Sequence, residues 1–324
     1  MSSFSDWTIP PGSQPKPENY SFDLDGVLAS VLGLRASIPK DAFTADILGT
    51  EREGHGVAIG DDGVVLTIGY LITEAETVWL TAPDGRAVPA HVLAYDQVTG
   101  FGLVQALGPL DVAPLPLGQS SAARVGQRVI VAGSGGRRRA LAATIVAKQE
   151  FAGYWEYVLD EAILTAPAHP NWGGAALIGS DGALLGIGSL HLQHTSGGRL
   201  VDLNMVVPID LLKPILDDLK RFGRPQRRER PWLGFYVTEM DDQIGVAGLA
   251  TGGPAERAGL SVGDRILEVA GRKVNDLAGL YRSIWALGDA GVDVPLKIDR
   301  EGDAFDVRIT STDRNRLLKT PRLH

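Results

Sequence analysis

The 324-residue chain has no cysteine. Disulfides, thiol nucleophiles and thiolate metal sites are therefore excluded, although a chain without disulfides can reside in any compartment. Long apolar runs are missing too: no window approaches the roughly 18 residues of a membrane-spanning helix. Positive charge is in deficit. Against 39 Asp and Glu there are 31 Lys and Arg, a formal net charge of −8, which argues against general affinity for nucleic acid or an anionic membrane surface. Nor does the start resemble a secretory leader. Residues 1–20, MSSFSDWTIPPGSQPKPENY, lack a basic start and an apolar stretch of signal length. They read as a flexible Pro- and Ser-rich segment of a cytoplasmic protein, or of a periplasmic one whose leader has been removed.

What is present is an ordinary globular composition, 44% hydrophobic and 22% charged, with 40 Gly and 19 Pro. The length suggests about two domains. From residue 27 onward, short apolar stretches recur every 8–12 residues between Gly/Asp turns, as in a β-barrel or sandwich. The run from Val27 to Arg35 reads as a half-buried strand. Gly56–Gly60 turns at Asp61-Asp62-Gly63 into Val64–Thr67, a hairpin signal. Similar stretches follow as far as Ala183–Ser189, and a helix is expected over about 211–222. A basic linker, 223–230, comes next. Residues 231–312 have a different texture: several strands, one helical turn within Gly253–Leu260 closed by a glycine, and a helix capped by Asn275 with Leu277, Leu280, Ile284 and Leu287 on one face. A basic tail occupies 313–324.

The stretch Ala168-His169-Pro170-Asn171-Trp172-Gly173-Gly174-Ala175-Ala176-Leu177-Ile178 is laid out like the nucleophile loop of a trypsin-like serine protease. With Gly56–Thr67, Leu117–Gly126 and Val207-Pro208-Ile209-Asp210 in matching order, the first part resembles the protease domain of the HtrA (DegP-like) family. Gly252-Gly253-Pro254-Ala255 through Gly263-Asp264 resembles its PDZ signature, and Trp232-Leu233-Gly234-Phe235 its carboxylate-binding loop. The resemblance covers most of 27–312. It implies a mostly β protein: a flexible start at 1–20, a trypsin-like double β-barrel at 21–222, and a PDZ domain (α+β, a small partly open barrel with helices) at 231–312.

The resemblance also locates the catalytic positions. A serine protease needs a nucleophilic hydroxyl, an imidazole that takes its proton and a carboxylate that orients the imidazole. The histidine position holds Tyr70, the aspartate position Gly100 and the serine position Trp172. A phenol near its ordinary pKa of about 10 is a poor base at neutral pH, glycine orients nothing, and an indole cannot form an acyl-enzyme. The glycine whose N–H would help bind the oxyanion is replaced by Pro170, which has no N–H. The expectation is a non-catalytic homologue that binds protein or peptide C-termini through the PDZ groove. The alternative is an active serine endopeptidase with a non-standard site.

In that groove an extended peptide would add to the strand after Gly234 while its carboxylate meets backbone N–H groups of Trp232-Leu233-Gly234-Phe235. Leu280 and Ile284 would line the side-chain pocket. The resemblance further implies a homo-oligomer, a trimer being favoured, and Phe43, Ile47 and Leu48 are apolar residues in a loop-like context that would need cover. Other features read as structural. His169 is expected to be a solvated loop histidine, and His191 and His194 exposed histidines of a hairpin tip rather than zinc ligands. Arg137-Arg138-Arg139 is expected to be a solvated loop tip, with an acidic partner or a phosphate as the alternative. The linker arginines read as a solvated spacer, and Trp172 as a plug in the cleft. No cofactor or metal is called for.

Overall fold

Strand-period alternation over residues 31–208 is realised as twelve strands. In the computed structural model, which describes residues 7–196, 198–240 and 243–319, the first six are β1 (Val31–Ser37), β2 (Glu51–Ala58), β3 (Val64–Ile68), β4 (Thr77–Thr81), β5 (Ala87–Tyr95) and β6 (Phe101–Ala106). They close into a barrel in the order β1-β2-β3-β6-β5-β4. β7 (Arg128–Ala132), β8 (Ala140–Gly153), β9 (Tyr157–Ala166), β10 (Ala176–Ile178), β11 (Leu184–Ser196) and β12 (Arg199–Pro208) close a second barrel, ordered β10-β11-β12-β9-β8-β7. Closure leaves no free sheet edge. Leu32, Leu34, Leu66, Leu80, Phe101 and Leu103 are fully buried in the first barrel. Val129, Val131, Ile145, Ile163, Leu177 and Val206 form the core of the second. In β7 the core residues Val129 and Val131 are two apart, as strand geometry requires.

The ends of this region differ from expectation. Val27, Leu28 and Ala29 are not strand but the last turn of α1 (Leu24–Ala29). The Asp23 carboxylate caps it, accepting from the Gly26 N–H at 3.2 Å, and the i, i+4 pair Leu24 and Leu28 is buried. Residues 7–20 are anchored rather than loose. Ile9 is buried and donates its N–H to the Arg138 carbonyl (2.8 Å), while the Gln14 amide returns to the Ile9 carbonyl (2.6 Å). A short helix, α2 (Ala45–Leu48), follows β1. The helix expected from 211 begins later, as α3 (Leu216–Phe222). Pro214, with no N–H and a ring that crowds the preceding turn, confines it to the residues beyond.

The chain divides into two compact units. One takes the chain through Gln149 and again Glu161–Pro225; the other takes Gln226–Lys319 and also Glu150–Asp160. The second unit has a sheet of β13 (Phe235–Met240), β14 (Gln243–Leu249), β15 (Arg265–Val269), β16 (Arg272–Lys273), β17 (Asp293–Arg300) and β18 (Asp303–Thr310). Its order is β13-β14-β15-β17-β18, with β16 pairing β15. Two helices accompany it, α4 (Pro254–Arg257) and α5 (Leu277–Trp285). The cap of α5 is Asp276, whose carboxylate accepts from the Gly279 N–H (2.6 Å), not Asn275. The apolar stripe of α5 faces the core: Leu280 and Ile284 are fully buried with Leu233, Phe235, Val246 and Leu296. The linker arginines are not a free spacer. The Arg230 guanidinium lies 4.1 Å over the Trp285 ring, and Arg228 pairs with Asp289 at 3.2 Å.

Candidate functional site

Of the residues expected at catalytic positions, Tyr70 and Trp172 line one cavity and Gly100 bonds to the turn that carries Tyr70. Tyr70 lies on a 3-10 turn directly after β3. Its hydroxyl donates to the Ser189 carbonyl on β11 (2.9 Å), bridging the two barrels. Burial pushes its phenol well above the ordinary range. Gly100 supports the same turn, accepting from the Gly69 N–H (2.7 Å) and donating to the Asp96 carbonyl (2.8 Å). The loop carrying Trp172 is tied across the barrels by the His55 N–H, which donates to the Gly173 carbonyl (2.9 Å). Only glycine fits the next position: Gly174 has φ +77° and a Cβ there would collide with the His55 carbonyl.

Trp172 does not fill the cleft. It is half-buried, its ring 5.3 Å from that of His191, and with Trp7, Tyr70, Pro170 and Asn171 it walls a cavity of about 280 Å³. The expected plug is thus one wall, because the indole leans on β11. His191 is paired with Asp202 at 3.2 Å, while His194 is exposed. Three residues apart on one strand, these histidines point to opposite faces and do not share a ligand.

His169 is fully buried, not solvated. Its N–H donates to the Asn204 side chain (2.6 Å), which donates back to the His169 carbonyl (3.2 Å). Its ring Nε2 is 3.0 Å from the Arg139 carbonyl, and Trp7 meets it edge-on at 5.2 Å. Residues distant in sequence close over it, which is why a local reading leaves it in solvent. A second buried histidine, His55, lies 6.4 Å away ring to ring. Its Nδ1 accepts from the Ser134 N–H (3.1 Å). Burial, reinforced by His169, lowers the His55 pKa to about 3, and burial lowers that of His169 as well. Both are neutral rings.

The arginine loop is solvated at Arg137 and Arg138, as expected, but it is also tied to other segments. Arg137 pairs with Asp25 (2.9 Å), the Arg138 carbonyl accepts from Ile9, and Arg139 lies 5.0 Å over the Trp7 ring. Nothing in the sequence pattern marks a further element, Arg52. It is buried on β2 and donates all five guanidinium N–H groups: to the carbonyls of Gly49, Tyr70, Thr73 and Thr44 and to the Thr44 hydroxyl. Burial brings its pKa down to about 10, with Glu74 acting in the opposite direction. The bond to the Tyr70 carbonyl (2.7 Å) fixes the Tyr70 turn.

In the second unit the loop expected to bind a carboxylate already faces one. Glu156, in the turn between β8 and β9, accepts through Oε1 from the Leu233 N–H (3.1 Å) and the Gly234 N–H (2.9 Å). Gly234 has φ +78°, and a Cβ there would lie 2.7 Å from the Trp232 ring. Trp232, Leu233, Phe235, Leu280 and Ile284 are all buried, so none of these side chains is open to an incoming peptide as expected. Val158, two residues beyond Glu156, belongs to the same apolar cluster.

Comparison with known proteins agrees with this architecture. Residues 54–187 match the trypsin-like peptidase domain family and residues 231–310 the PDZ domain family. The chain carries a trypsin-like peptidase domain followed by a PDZ domain. Among the proteins it is similar to is a probable periplasmic serine endoprotease, DegP-like, of Halomonas elongata, 28% identical over 273 residues, 80% of this chain and 56% of that protein. Protease Do-like 1, chloroplastic, of Arabidopsis thaliana is 28% identical over 271 residues, 76% and 61% of the two chains. The chain thus spans a little over half the length of these curated relatives. Similar solved folds include the HtrA-type protease AlgW with decapeptide (TM-score 0.53, 20% identity, 92% and 99% coverage). The serine endoprotease from Yersinia pestis is another (0.52, 22%, 90% and 98%). The Halomonas elongata relative is named periplasmic, which lends nothing to a cytoplasmic location and is compatible with the periplasmic alternative. Among the described residues no helix is long and apolar enough to cross a membrane.

Proposed function

We propose that this chain is a non-catalytic HtrA-like serine protease homologue that acts as a scaffold or regulator by binding protein or peptide C-termini at its PDZ groove. The observation that carries the reading is the joined cluster at the catalytic positions. Tyr70 donates to the Ser189 carbonyl, Gly100 holds the turn that carries Tyr70, and Trp172 walls the same cavity as Tyr70, which supports a structural role for each. Pro170 removes an oxyanion donor from the same loop. Peptide binding is supported by the loop Trp232–Phe235, whose N–H groups are directed at a carboxylate. Ile47 and Leu48 on α2 are exposed at 54% and 40%, which supports assembly into a homo-oligomer, with a trimer favoured.

The names of the relatives favour the second reading, an endopeptidase with a non-standard site. A fluorophosphonate probe, which labels activated serines, separates the two. The expected result is no labelling and no cleavage of casein above buffer, in the wild type and in Trp172→Ser alike, because base, orienter and oxyanion donor remain missing. Stoichiometric labelling of a serine in the wild type would overturn the non-catalytic reading.

A further inference from the structure

We propose that Glu156 is a built-in ligand of the PDZ carboxylate-binding loop, and that a partner peptide with a free C-terminus binds this protein by displacing it. The inference rests on the proposed terminus-reading function and deepens it. Four observations carry it. The first is the pairing itself: the Glu156 carboxylate takes the Leu233 and Gly234 N–H groups, the donors a terminal carboxylate would use.

The second is position. The Tyr154 carbonyl accepts from the Val237 N–H on β13 at 3.1 Å. The turn that carries Glu156 is thus hydrogen-bonded to the edge strand that follows the loop, where a peptide would add. Tyr154 also meets the Tyr236 ring at 6.2 Å.

The third is the side-chain pocket. Val158 is buried with Leu233, Phe235, Leu280 and Ile284, so the apolar space between β13 and α5 is occupied by the same segment that brings the carboxylate. The fourth is a clamp from the opposite wall. Arg282 on α5 pairs with Glu150 and with Asp160, each at 2.6 Å, one on either side of the turn.

The mimic is imperfect, and this makes it displaceable. Glu156 sits at φ +60°, a left-handed conformation disfavoured for a residue with a Cβ. Its carboxyl is almost completely buried. Burial pushes its pKa up to about 7, against the hydrogen bonds from Gly234 and Leu233 and the charge of Arg314. A peptide C-terminus, with an ordinary pKa near 3.5, arrives ionised and brings a better acceptor. One pair of N–H donors cannot serve both carboxylates, so the apparent affinity for a peptide is the intrinsic affinity multiplied by the fraction of molecules in which Glu156 has left the loop.

The test uses the full chain, a fluorescein-labelled ten-residue peptide ending in a free valine carboxylate, and the same peptide as its C-terminal amide, with binding read by fluorescence anisotropy. Glu156→Ala should bind the free-acid peptide at least about tenfold more tightly than wild type. Arg282→Ala, which loosens the clamp and leaves the loop untouched, should fall in between. The amide should show no such gain. Hydrogen exchange without peptide supplies a readout independent of any ligand: the Leu233 and Gly234 amides should be protected in wild type and exchange freely in Glu156→Ala. Equal peptide affinity in wild type and Glu156→Ala, or unchanged protection of both amides, overturns the inference alone. Absence of binding by every variant overturns the terminus-reading function on which it rests.

Discussion

Acidification should destabilise the first unit in a defined pH window, through the buried pair His55 and His169. In the folded protein burial and the neighbouring His169 hold the His55 pKa at about 3, against about 6.5 for an unperturbed histidine. Between those values the unfolded chain binds a proton that the folded chain refuses, so stability falls as pH falls. The contribution is fully present above pH 6.5 and is lost progressively down to pH 3. One pKa unit corresponds to about 1.4 kcal/mol, so at pH 5 the loss through His55 is about 2 kcal/mol. His169 shifts in the same direction and adds to it. The second unit carries the opposite sign. Burial raises Glu156 from 4.5 to about 7, so its contribution is present below pH 4.5 and is lost as pH rises to 7. The assay must therefore read the units separately. Urea titrations between pH 7.5 and 5, followed by pulsed hydrogen exchange on peptides covering β2 and β7, report the first unit alone. His55→Asn keeps an acceptor for the Ser134 N–H and removes the titrating ring, so its pH dependence should be much shallower. If wild type and His55→Asn lose stability in parallel between pH 7.5 and 5, the buried-histidine account is wrong.

Three further outcomes are expected. Arg52→Met leaves the carbonyls that Arg52 serves, those of Tyr70 and Thr73 among them, without their donor; a loss of about 3 kcal/mol from the first unit should appear in urea denaturation. Gly234→Val places a branched side chain at φ +78° against the Trp232 ring. It should cost the second unit about 1–2 kcal/mol from the backbone alone and abolish protection of the Leu233 amide in hydrogen exchange. Replacing both Ile47 and Leu48 by Asp should convert a homo-oligomer into monomers by light scattering, and a monomer mass for the wild type at micromolar concentration would refute that expectation.

Much of this protein is legible one residue at a time. The alternation in β7, the Asp61-Asp62-Gly63 hairpin turn and the glycine-rich loops are set by interactions within a few residues, and so a barrel or sandwich followed by a unit of different texture can be read from local pattern. The double barrel, and the expectation that Tyr70, Gly100, Pro170 and Trp172 occupy catalytic positions, come instead from the resemblance to a protease family. What the pattern does not carry is which distant segment covers a given residue. His169 looks like a loop residue until Asn204, Trp7 and the Arg139 carbonyl close over it. Arg139 looks like part of a solvated tip until Trp7 packs against it. Glu156 gives no signal at all in its own neighbourhood, because the loop it binds lies 77 residues further along the chain. Burial and backbone recognition arise from strand register and barrel closure, which sum many weak contacts over the whole chain. The amino-acid sequence by itself therefore determined the elements and the residue types available to the cleft, and only the tertiary structure decided which charges are buried and which carboxylate meets the PDZ loop.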